Sequence, residues 1–254
     1  MKPPFHAVIL AAGEGTRYSA SGGTTLKQVA PYQGVPVIRR LADQVAASQA
    51  FCGLTIVLGP DPSHARTIKA ALSGCPATYV VNPEARRDNN LLSFLAGTRG
   101  LATGALLIEA DCVVAQDDLV AMVENTGPGQ ICWANIGPAA RYDYGGVIRL
   151  DDTGRVRGVS VLDAQAYAAF KAESRAGNGV KMFGLTAFGA QALQHYHRVA
   201  ARLQDPYHKY FHAVASTWPE EFDFCTVAMS PEVFSFNVTR ELKTSQNHDI
   251  HDTP

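Results

Sequence analysis

Leu10-Ala11-Ala12-Gly13-Glu14-Gly15-Thr16-Arg17 closes the first apolar run of the chain, Ala7 to Ala12, and its reading decides the fold. An apolar run that breaks on two glycines predicts a buried strand ending in a tight turn. Glycines at the carboxyl end of a strand let backbone N–H groups approach phosphate oxygens closely. Arg17, with Lys27 ten positions later, can offset the charge of a polyphosphate. The same residues can also form a plain glycine turn flanked by two solvated cations. The third glycine of the dinucleotide-binding fingerprint would fall at position 18, which is Tyr18, and the Gly-Lys-Ser/Thr of the Walker loop is missing.

Outward from this turn, short apolar runs alternate with amphipathic stretches. A helix near Pro36 to Ser48 carries Ile38, Leu41 and Val45 at helical spacing, and Pro36 suits its first turn. Leu54 to Leu58, a helix from His64 to Leu72, Tyr79 to Val81, a helix near Asn90 to Gly97, and Ala105 to Ile108 follow. This order predicts a parallel sheet covered on both faces. After about residue 140, strands at Val147–Leu150 and Val156–Leu162 flank Asp151-Asp152-Thr153-Gly154, a hairpin signal. A helix from about Gly189 to Leu203 and late strands at Phe224–Met229 and Val233–Val238 complete the pattern, and Ser245 to Pro254 reads as a polar, frayed tail.

Composition narrows the function. Of 254 residues, 22 are Lys or Arg and 23 Asp or Glu, for a formal net charge of −1, so a bulk electrostatic grip on nucleic acid or an anionic membrane is not expected. No apolar stretch approaches the roughly 20 residues of a membrane helix, and no signal peptide is legible, so a cytosolic protein is expected. Five scattered cysteines without a CxxC pair read as small core residues. His208 and His212 are four apart with His195 and His197 nearby, but Lys209 follows where a zincin helix needs Glu, so they read as partly exposed helix histidines.

Leu106-Leu107-Ile108-Glu109-Ala110-Asp111 is an apolar strand that delivers an acid where parallel-sheet sites open. Asp111 is placed either to hold Mg²⁺ or to cap a turn. Glu109 is expected on the opposite face of the strand and ranks below Asp111, and Asp117 and Asp118 read as caps of the next helix. Asn89, Asn90 and Ser93 open a helix, where such residues serve as caps or as ligand contacts. In the second half Trp133, Arg141, Tyr142, Asp143, Tyr144, Lys181 and Trp218 are candidates for contact with a small ligand. Aromatic rings with a carboxylate suit an ammonium group, and Lys181 or Arg141 an anion.

Leu10 to Arg17, followed by Leu26-Lys27-Gln28-Val29 and Gly34-Val35-Pro36-Val37-Ile38, resembles the signature of the nucleotidyltransferase superfamily with the MobA-like or sugar-phosphate nucleotidyltransferase fold. Leu26 replaces that family's usual proline, and Ser19 to Gly23 is an atypical loop. Asn89-Asn90-Leu91-Leu92-Ser93 resembles the branch of bacterial phosphocholine and 2-aminoethylphosphonate cytidylyltransferases. Phe234 to Leu242 is similar to the closing family segment, with Asn237 where relatives place a second metal-binding aspartate. The resemblance implies an α/β, Rossmann-like three-layer sandwich with a mostly parallel mixed sheet and a small antiparallel acceptor-binding portion. One domain would span 1–254, with a nucleotide-binding half to about 125, an acceptor-binding half from 126 to 245 and a tail from 246.

It further implies an Mg²⁺-dependent transfer of CMP from CTP to a small phosphate or phosphonate acceptor, with release of pyrophosphate. Arg17, Lys27 and Asp111 would be catalytic, and Asp111 and Asn237 would hold the metal. Leu10, Ala11, Ala12, Gly13, Glu14, Gly15, Thr16, Arg17, Lys27, Asn82, Asn89, Asn90 and Ser93 would bind nucleotide, and Tyr142, Asp143 and Lys181 the acceptor. The alternatives are a sugar-1-phosphate or cofactor nucleotidyltransferase using another triphosphate, and a nucleotide-binding relative without activity. Oligomeric state stays open, and an exposed apolar patch on the second half would point to a homodimer.

Overall fold

The computed structural model describes residues 4–173 and 179–237. The family-like segment after Asn237 and the tail from 246 lie outside the described residues.

The first apolar run forms β1 (Phe5–Ala11), buried on both faces because parallel strands flank it and helices cover it. β2 (Phe51–Leu58) and β4 (Ala105–Glu109) pair with it in parallel, and β3 (Thr78–Val81) extends β2. Beyond β4 the sheet turns antiparallel through the long β8 (Gly179–Phe188) and on to β6 (Gly145–Leu150) and β7 (Val156–Leu162), giving the order β7-β6-β8-β4-β1-β2-β3. β6 and β7 form the expected hairpin, whose turn is fixed by Asp151 accepting from Thr153 and Arg155 and by Gly154 at φ +80°. β5 (Gln130–Pro138) lies on the other edge of β8 and carries β9 (Asp223–Ala228) in parallel. The mixed α/β sheet thus has its parallel block where the βα alternation placed it.

Helices cover both faces. α1 (Thr16–Ala20) follows the glycine turn; α2 (Val37–Ala47), α3 (Pro62–Ala71) and α5 (Gln116–Glu124) close one core. Ile38, Leu41 and Val45 face inward as their spacing predicts. α4 (Leu91–Thr98), α7 (Ala190–Ala200) and α8 (Phe211–Ala215) close the other, where Phe94 sits among Phe188, Tyr196 and Phe211. α6 (Ala164–Glu173) buries Tyr167 beside Ala139 and Val147.

Several expectations are corrected. Pro36 stands at the N-cap, one residue before the helix it was expected to open. α7 ends at Ala200, because the chain tightens into i−3 hydrogen bonds through Arg202 and Leu203. The last strand is only Phe234–Ser235, paired with Cys112–Val113. Cys112 and Cys132 are buried, but Cys52 is exposed because it precedes the part of β2 that enters the core. His212 is fully buried instead of lining an exposed helix face.

Candidate active site

β1 ends at Ala11, and the chain then turns through Gly13 and Gly15 into α1. Gly15 adopts φ +64°, which favours glycine, and a Cβ there would stand 3.0 Å from Lys27 Cβ. Gln28 is buried, and its amide donates to Gly13 O (2.6 Å) and Ala11 O (3.3 Å), pinning the loop from beneath. Sequence reading missed this residue, although it adjoins Lys27.

A cleft of about 340 Å³ opens above the loop. Its walls include Leu10, Ala12, Gly13, Gly15, Thr16, Arg17, Lys27, Asn89, Asn90, Ser93, Asp111 and Asn237, so most of the sequence-predicted nucleotide and metal residues converge. Ala11 and Glu14 do not line it. Ala11 is buried within β1, and Glu14 turns outward to an exposed ion pair with Arg86. Asn82 is also behind the wall, buried, with its amide donating to Asp88 and Ser93.

The cations occupy two distinct states. Lys27 Nζ is bonded to the Asp111 carboxylate and donates to Asn237 Oδ1 at 3.1 Å. Arg17 lines the cleft exposed, without an ion pair among the described residues. Asn237 arrives through the ladder of Phe234–Ser235 on Cys112–Val113, reinforced by edge-on contacts of Tyr32 with Phe234 and Tyr18 with Phe236. Tyr18, where a dinucleotide fold would need glycine, is therefore a packing residue.

Glu109 lies in the same cleft as Asp111, against the expectation of opposite faces. Residues two apart along a strand point to the same face, so alternation itself brings Glu109 and Asp111 together, and the opposite-face expectation is corrected. Burial, with the Asp111 charge beside it, raises the Glu109 carboxyl to about 7, while Lys27, Lys181 and Arg17 pull it down.

Asp88, not the asparagines, caps α4. Its carboxylate accepts from the backbone N–H of Asn90 (2.9 Å), Leu92 (3.0 Å) and Ser93 (2.8 Å), and from the side chains of Ser93 (2.8 Å) and Asn82 (3.0 Å). Asn90 is free to take φ +115° because its cap function is delegated. Asp118 accepts from Ala115 N–H, as a helix-start acid should, and also holds Ser230.

Among the acceptor candidates, Tyr142 and Lys181 come together. The Lys181 amine donates to Tyr144 O, stands 5.6 to 5.8 Å from the rings of Tyr142, Tyr144 and Tyr167, and is lowered to about 8 by burial, with Glu109 opposing. Asp143 turns away to Lys171 (2.8 Å). Trp133 is wholly buried in the core against Phe224, Trp218 stacks with Arg202, and Arg141 is exposed.

The donor set suits a hard cation. Asp111 and Asn237 offer a carboxylate and an amide oxygen, and the Lys27 ammonium already stands between them. No cluster of three or more His, Cys, Asp or Glu suited to a metal exists among the described residues. No helix among the described residues is long and apolar enough to cross a membrane.

The model of the MobA-like NTP transferase domain matches residues 7–139. Among solved structures, the CTP:phosphocholine cytidylyltransferase from Streptococcus pneumoniae superposes with a TM-score of 0.76 at 15% identity, covering 97% of this chain and 99% of that one. The inositol-1-phosphate CTP transferase from T. maritima gives 0.71 at 10% identity, covering both chains fully at 100%. A protein described as a glucose-1-phosphate thymidylyltransferase from Bacillus anthracis gives 0.69 at 12%, covering 98% and 97%. No curated protein matches the chain. At these identities the structural likeness establishes the fold.

Proposed function

Since the chain belongs to the MobA-like NTP transferase domain family, we propose that it is an Mg²⁺-dependent cytidylyltransferase that moves CMP from CTP to a small phosphate or phosphonate acceptor. The observation that carries the reading is the convergence of the Gly13–Arg17 turn, Lys27, Asp111 and Asn237 on one cleft in this fold.

An acceptor oxygen attacks the α-phosphorus of the triphosphate, the new P–O bond forms, and the bond to the β-phosphate oxygen breaks to release pyrophosphate. A phosphate monoester with a second pKa near ~6 is already an oxyanion at neutral pH, so no general base is required. The chain's part is positioning and charge. The backbone of Gly13 to Thr16 cradles the phosphates, held in shape by Gln28. Arg17 meets the departing pyrophosphate, and Lys27 moves from Asp111 to the phosphate oxygens. Asp111 and Asn237 would hold Mg²⁺, which when bound supplies charge neutralisation at the phosphates. Lys181, backed by Tyr142, receives the acceptor's anionic end.

A second reading, a sugar-1-phosphate nucleotidyltransferase using another triphosphate, has support in the fold shared with the thymidylyltransferase-like protein. The test measures pyrophosphate release with Mg²⁺ and each of CTP, UTP, GTP and ATP against phosphocholine, 2-aminoethylphosphonate, other small phosphonates and sugar 1-phosphates. Release with CTP and one small phospho-acceptor is the expected result. Release only with a sugar 1-phosphate moves the assignment to the second reading, and nucleotide binding without release on any pairing counts against both.

A further inference from the structure

Asn89 and Asn90 line the cleft, but each has committed one end of its amide elsewhere. Asn89 Nδ2 donates to His208 O (2.8 Å), and Asn90 Oδ1 accepts from Phe211 N–H (3.0 Å). Two backbone bonds flank these: His208 N–H to Arg87 O (3.0 Å) and Leu91 N–H to Lys209 O (3.2 Å). The Arg87 guanidinium lies 3.8 Å from the Tyr207 ring centre, and His208 takes a left-handed φ of +56°. Residues 207–211, from the second half, are thereby fastened along 87–91, from the first.

The residue this seam presents to the cleft is Tyr210. The residue is 36% exposed, lines the cleft with Asn89 and Asn90, and has no hydrogen-bond partner for its hydroxyl among the described residues. Behind it stands the buried His212 ring, 5.4 Å away and nearly parallel at 24°. A large ring held open to a cleft, backed by an immobile second ring, is preorganised to receive a flat partner without an ordering cost.

We propose that Asn89 and Asn90 act as a latch that seats Tyr210 over the cleft, and that the Tyr210 ring is the surface that receives the nucleobase. This rests on the triphosphate reading above. With phosphates on Gly13–Arg17 and Lys27 and the reacting phosphorus near Asp111, the base falls to the remaining wall. That wall is Ala12, Ala85, the asparagine pair and Tyr210, which together offer one aromatic face beside small apolar and amide side chains. The asparagine motif then acts through Tyr210, as a positioning device.

The test is calorimetric titration of CTP with Mg²⁺, without acceptor, into the whole chain and its variants, each checked by thermal melting. Tyr210→Ala is expected to bind about tenfold more weakly, in line with the loss of one base-to-ring stack, while Tyr210→Phe binds as wild type. Asn89→Ala and Asn90→Gly, the latter keeping the left-handed backbone, are expected to weaken binding alone. In the Tyr210→Ala background they are expected to add nothing. Wild-type affinity in Tyr210→Ala overturns the inference, and so do losses that multiply in the double variants, since those mean direct asparagine contacts. Wild type that does not bind CTP overturns the cytidylyl reading itself, and the inference with it.

Discussion

The Lys27 ammonium is bonded to the carboxylate of Asp111, 84 positions away, with the Asn237 amide oxygen 3.1 Å from the same nitrogen. One ion pair thus joins the loop after the glycine turn, the end of β4 and the last described segment of the chain.

Removing either partner is expected to abolish function without unfolding the protein. Lys27→Ala and Asp111→Ala should each lower pyrophosphate release by at least about a hundredfold, the scale of losing one preorganised electrostatic partner. Far-ultraviolet circular dichroism should remain native, because both groups line a cleft and not the core. Near-normal turnover in either variant would sink the assignment.

Burial lowers Lys181 to about 8, with Glu109 pulling the other way. If the charged amine receives the acceptor's anion, acceptor KM at saturating triphosphate is lowest just below pH 8, where the acceptor is ionised and the amine still charged. It then rises above pH 8 by up to about tenfold per unit. Lys181→Met should raise KM at neutral pH and remove the upturn. A wild-type profile that stays flat to pH 9.5 would exclude Lys181 from this role.

Asp88 answers five donors at the mouth of α4. Asp88→Ala should cost about 2 kcal/mol through lost capping and unmet buried donors. For a chain of this size that lowers Tm by about 4–8 °C. It should also raise the KM for triphosphate, since the wall it organises faces the cleft. An unchanged Tm would contradict the capping role.

His212 is 3% exposed with neither ring nitrogen partnered, and burial lowers it to about 3 from 6.5. Between these values the unfolded chain binds a proton that the folded chain refuses. Its contribution to stability is therefore complete above pH 6.5 and falls as pH drops, by up to about 1.4 kcal/mol per unit. His212→Phe should flatten denaturant midpoints between pH 4 and 6.5, and an unaltered pH slope would count against this account.

Local sequence determined the strands and helices of the first half and the glycine turn, because hydrophobic period and backbone chemistry are written within a few residues. Arg17, Lys27 and Asp111 could be read as candidates because Arg17 and Asp111 closely follow strand ends and Lys27 lies ten positions beyond Arg17. What only the tertiary structure decided was which groups meet. Asn82 withdrew behind the wall because Asp88 claimed it. Gln28 found its partners in the loop it supports, and Tyr210 reached the cleft through hydrogen bonds to residues about 120 positions earlier. Side-chain pairing across such distances depends on the register of β8 and on which donors are left unmet after folding. Neither has a period that a sequence can display.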